Sequence, residues 1–135
     1  MNTPPLKELN QYFNASNELI IYNNGVEHNC TKPEISALLQ SLQQMLTNSH
    51  EMPALGVSLD SETRNELKSG LWLEFNYKTT QTYNDMPFDS LLIKVEPENC
   101  GFNIIRKYNN LYEGRCYYIN LDCNMSDLYN KILEI

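Results

Sequence analysis

From Leu71 to Leu121 apolar and polar residues alternate in successive runs, and a period of two belongs to strands. Leu71, Leu73, Phe75 and Tyr77 form one face of the first run. Leu91, Ile93 and Val95 form the second, and Phe102, Ile104, Arg106 and Tyr108 the third. Leu111, Glu113, Arg115, Tyr117, Ile119 and Leu121 form the fourth. Turn residues separate the runs: a polar loop from Thr79 to Phe88, then Pro97 to Gly101, then Asn109-Asn110. The block predicts a four-strand antiparallel meander.

Its shared apolar face carries Arg106, Glu113 and Arg115, and charges on such a face need partners or a function. Asn tolerates positive φ, so Asn109-Asn110 is a two-residue hairpin turn. That register places Arg106 opposite Glu113. A loop two residues longer would place Arg106 opposite Arg115, a like-charge pair that destabilises. The shorter loop is therefore expected, with an Arg106–Glu113 ion pair. Asp89 is a further candidate partner; Glu74 has the wrong parity for this face. A guanidinium here can also serve a ligand, because its planar fork matches carboxylate and phosphate. Arg106, Arg115, Glu113 and Tyr117 are the candidate ligand-binding residues.

The opposite face of the same strands carries Trp72, Leu92, Ile105, Tyr112 and Tyr118. Left uncovered, these five make an aromatic interaction patch of the kind enriched in protein interfaces. Covered by helices, they make a second core layer.

The remainder of the chain predicts helices and one early hairpin. Thr3 caps a first helix carrying Leu6, Leu9, Tyr12 and Phe13. Glu18–Tyr22 and Val26–Cys30 flank Asn23-Asn24-Gly25, a hairpin signal. Thr31 and Glu34 have capping-box spacing, followed by Ile35, Leu38, Leu39, Leu42, Met45 and Leu46 at helical period. Ala54 to Leu59 reads as extended. Asp60 or Ser61 caps a short helix through Leu67. Asn124 caps a last one with Met125, Leu128, Tyr129, Ile132 and Leu133. The fold class is α+β: an antiparallel sheet with a C-terminal four-strand meander, packed against two to four helices. At 135 residues, with no linker or repeat, the chain reads as a single domain over 1–135.

Composition excludes more than it selects. A net charge of −7 and scattered basic residues argue against nucleic acid, which needs clustered Lys and Arg. No apolar run approaches a membrane span of about 18 residues. The N-terminus lacks the features of a signal peptide, so a cytoplasmic protein with reduced thiols is expected. His28 and Cys30 share a strand face, but nothing at the right spacing completes a zinc set, so no metal and no cofactor are expected. No glycine-rich phosphate loop, G-x-S-x-G or H-E-x-x-H occurs. No catalytic residue is identified, and the balance leans away from an enzyme. The expected function is a small acidic, non-catalytic protein-interaction domain, inhibitor-like or homo-oligomerising. The alternative is a small-molecule binding protein or enzyme that holds an anion with its sheet-face arginines.

Overall fold

The computed structural model describes residues 7–53 and 56–135. Thr3, Leu6, Ala54 and Leu55 lie outside the described residues. In chain order the elements are α1 (Lys7–Asn14), β1 (Glu18–Asn23), β2 (Val26–Asn29), α2 (Lys32–Leu46), β3 (His50–Met52), β4 (Val57–Ser58) and α3 (Asp60–Glu66). There follow β5 (Leu71–Tyr83), β6 (Met86–Lys94), β7 (Gly101–Lys107), β8 (Gly114–Arg115), β9 (Tyr117–Asn120) and α4 (Ser126–Leu133). The α+β class is as expected. The main sheet has seven strands in the order β2-β1-β5-β6-β7-β9-β3, antiparallel throughout; β4 and β8 form a separate two-stranded ribbon.

The alternation in the sequence divides the sheet into two unlike faces. Leu73, Phe75, Leu91, Ile93, Ile104 and Ile119 form the first, in a core closed by Leu9 and Phe13 of α1, Leu38 and Leu42 of α2, and Leu128 and Ile132 of α4. Fully burying such a side chain stabilises by roughly 1.5–3 kcal/mol, so this layer dominates the fold. The second face holds a smaller cluster of Leu67, Trp72, Leu92 and Tyr112, with Tyr22 and Ile105 against it. The capping box forms as expected: Glu34 N–H donates to Thr31 Oγ1, and Thr31 N–H donates to Glu34 Oε1 at 2.8 Å. Asn124 does not occupy the cap of α4: its Oδ1 accepts from Ser126 N–H, but Met125 stands at the N-cap and makes no side-chain cap bond.

Four other expectations need correction. The predicted loop from Thr79 to Phe88 is instead a projecting hairpin: β5 runs to Tyr83, β6 starts at Met86, and Asn84 and Asp85 turn with φ of 51° and 60°. Its sequence is polar because Lys78, Thr79, Thr80 and Thr82 face solvent. Asp60 does not cap α3; its carboxylate accepts from the Tyr112 backbone N–H and from Arg64 Nε, at 2.9 Å each. β3 escaped prediction because it is three residues long and lacks apolar alternation.

The fourth correction concerns the last meander strand. Asn109 and Asn110 have φ of 51° and 63°, and Tyr108 pairs with Leu111, so the two-residue turn forms. Further along, however, Ile104 pairs with Tyr117, a register two residues longer. The slack is taken up by residues 112–116, which leave the sheet. Gly114 and Arg115 pair with Ser58 and Val57, and Cys116 N–H donates to the Gly56 carbonyl at 2.9 Å. Gly114 turns the chain with φ of +109°, and a Cβ there would come within 2.8 Å of Arg106 Nη2. Glycine is needed at this position for both reasons.

Candidate functional site

The excursion decides the fate of the four candidate ligand-binding residues. Arg106 lies on the main core face, as its parity requires, and is only 8% exposed. It pairs with backbone, not with Glu113. Its Nε donates to the Arg115 carbonyl at 2.8 Å and its Nη1 to the Pro87 carbonyl at 2.7 Å. The Arg106–Glu113 pair is therefore corrected, because residue 113 has left the sheet and is exposed. Arg115 is exposed on the ribbon, so the repulsion feared from the longer register never arises. Tyr117 stays beside Arg106. Its hydroxyl donates to the Tyr83 carbonyl at 2.7 Å, so both side chains anchor the turn end of the β5–β6 hairpin. Burial and the Glu51 carboxylate push the Tyr117 phenol up, while Arg106 opposes them. Asp89 does not meet an arginine; it accepts from Thr80 Oγ1 and the Asn109 N–H. The structure thus joins Arg106 and Tyr117 in a packing role, and leaves Glu113 and Arg115 apart.

The second-face patch is also corrected in part. Trp72, Leu92 and Tyr112 are buried, because α3 and the chain leading out of it cover them. Ile105 and Tyr118 remain half-buried along a polar groove of about 590 Å³, whose walls also include Glu66, Lys94 and Asn103. Trp72 Nε1–H donates to the Ser69 carbonyl, which closes off its polar edge.

Beneath that cover lies a polar cluster that the sequence reading passed over. Glu74 is 1% exposed, in the middle of β5. Its carboxylate accepts a short hydrogen bond from the Tyr112 hydroxyl and a longer one, 3.3 Å, from Tyr22. Lys107 Nζ stands 3.6 Å away. Lys107 and Arg64 also sit over the Tyr112 ring, at 5.2 and 5.1 Å from its centroid. Burial first, then Glu74, pushes both phenols well above the usual tyrosine value. The cluster satisfies itself: the acid has two donors and a cation, and α3 closes it from solvent. Its signal was present in the sequence. Glu74 interrupts Leu71-Trp72-Leu73-Glu74-Phe75, and Lys107 has the parity to meet it.

The open chemistry lies at the β2 edge. Val26, His28 and Cys30 follow one another on the face that bears Ile21, since Ile21 pairs with His28 and Asn23 with Val26. Only the C-terminal end of α4 reaches this corner. Val26 is 70% exposed, and with Ile21, Leu71, Ile132, Leu133 and Ile135 it lines an apolar groove of about 500 Å³. Leu133 and Ile135 are themselves exposed. Immediately beside this corner, His28 Nε2 stands 3.0 Å from Glu34 Oε1. The Cys30 thiol faces the same point; burial and the neighbouring Glu34 raise its pKa to about 11.

Comparison with family models, curated proteins and solved structures finds no match for this chain. Among the described residues, no helix is long and apolar enough to cross a membrane.

Proposed function

We propose that this chain is a small, acidic, non-catalytic protein-interaction domain that self-associates through the free edge of β2. The observation that carries the reading is the conjunction of a strand edge left unpaired among the described residues with an exposed apolar corner. β2 is the outermost strand at its end of the sheet, and all four of its residues are exposed. Strand edges invite pairing with another chain, and proteins commonly blunt them with Lys or Pro. At the opposite end of the sheet Pro53 follows β3 directly. Val-Glu-His-Asn in β2 holds neither residue. Two copies of one edge can pair antiparallel about a twofold axis, which brings the Val26, Leu133 and Ile135 corners of both together. The anion-binding alternative gains no support, because Arg106 is spent on two carbonyls and Arg115 is exposed on the ribbon, away from it.

Sedimentation velocity over a wide concentration range tests the proposal. A concentration-dependent dimer is expected. Val26→Asp should weaken it about tenfold or more, since it places a charge in the apolar contact. The Tyr118→Ala variant, altered in the other groove, should dimerise like the parent. A protein monomeric at every concentration, or a dimer indifferent to Val26→Asp, overturns the reading.

A further inference from the structure

We propose that His28, Cys30 and Glu34 form a binding site for a borderline divalent metal ion, zinc above all. This proposal stands independently of dimerisation. Among the described residues these three bring an imidazole nitrogen, a thiol sulfur and a carboxylate oxygen within 4.8 Å of one another. Zinc takes this mixture of donors. A tetrahedral zinc with bonds of roughly 2.0–2.3 Å holds its donors about 3.3–3.8 Å apart. The His28–Glu34 pair already stands at 3.0 Å, so modest side-chain rotation completes the set.

The backbone fixes the arrangement. His28 and Cys30 are two residues apart on one face of the hairpin, and Thr31 alone separates Cys30 from the first residue of α2. Glu34 is held by the capping box, whose Thr31 N–H donates to the same carboxylate oxygen that faces the imidazole. Hydrogen bonds of this sort orient metal-binding carboxylates. His28 is exposed and Cys30 half-buried, so the site opens to solvent on one side and leaves a fourth position to water.

Binding would replace the thiol proton with the metal: the sulfur–hydrogen bond breaks, a zinc–thiolate bond forms, and the proton passes to solvent. Affinity should accordingly fall as pH is lowered.

The test uses the full chain with Co²⁺ as spectroscopic probe and Zn²⁺ in competition with a chromophoric chelator. One equivalent of Co²⁺ should give a thiolate-to-cobalt charge-transfer band, and Zn²⁺ should abolish it. The Cys30→Ser variant should lose the band. The Cys100→Ser/Cys123→Ser variant, which removes the two exposed thiols, should keep it. His28→Ala and Glu34→Gln should each weaken Zn²⁺ binding by about tenfold or more. Glutamine at position 34 preserves the capping box, so that variant removes a ligand charge without unfolding the helix start. Circular dichroism of each variant checks that the fold persists. The absence of a band overturns the proposal. So does a band that survives Cys30→Ser, or Zn²⁺ affinity that Glu34→Gln leaves unchanged.

Discussion

The Tyr112 hydroxyl donates to the carboxylate of Glu74 across the second face of the sheet, and so ties an otherwise exposed loop to its most deeply buried charge. Tyr112 lies in the segment that leaves the meander, and its backbone N–H is held by Asp60. One residue therefore fastens the excursion, α3 and β5 together.

Removing that hydroxyl should leave the Glu74 carboxylate short of a donor where water cannot reach. Tyr112→Phe is expected to cost about 1–3 kcal/mol, the range for an unsatisfied buried polar group. Tyr22→Phe should cost less than about 1 kcal/mol, because its bond is longer and the side chain half-buried. Urea unfolding of the two variants checks the order. Equal losses would show that the two hydroxyls share the carboxylate evenly.

Alkaline pH should unfold the protein. Tyr22, Tyr77, Tyr112 and Tyr117 all have phenols shifted up, with burial the largest cause. The folded state holds each one neutral. Their contribution is complete below the usual tyrosine pKa of 10.0, and it is lost as pH rises from there through the folded values. Tm should fall above that point. Tyrosinate absorbance should grow cooperatively, in step with the loss of circular dichroism. Gradual ionisation of all nine tyrosines without unfolding would contradict this.

Arg106 and Arg115 should differ sharply in what their removal costs. Arg106→Met strands the carbonyls of Arg115 and Pro87 that the guanidinium now satisfies, at an expected cost of about 3 kcal/mol. Arg115→Leu alters an exposed ribbon position and should stay within about 0.5 kcal/mol of the parent. Chemical denaturation measures both. A large loss in Arg115→Leu would place that side chain in a network that its exposure does not suggest.

Much of the fold was legible because alternation and helical period are direct consequences of burial. The apolar face of β5 through β7, the capping box of α2 and the turn at Asn109-Asn110 all follow from residue type and spacing. What misled was the assumption that a hairpin keeps one register along its length. Leu111, Glu113 and Arg115 have the right parity for the main face, yet Gly114 lets the chain turn away. Nothing in parity reveals that Ser58, far off in sequence, offers Gly114 another strand to pair with. The metal-site residues show the converse. His28 and Cys30 stand out as a pair in the sequence, and the spacing of Glu34 from Thr31 marks it for the capping box. Only the fold shows that the helix start and the hairpin edge meet at one point, so that a single carboxylate faces both.

Helix α2 joins the outer strand at one margin of the sheet to the outer strand at the other, since it lies between β2 and β3 in the chain. Seven strands leave six gaps of about 4.8 Å, about 29 Å from margin to margin. Fifteen helical residues span about 22 Å, and the few residues on either side supply the remainder. The helix with its short connections is therefore the bridge between the two margins of the sheet, and a single crossover ties the first strand edge to the last.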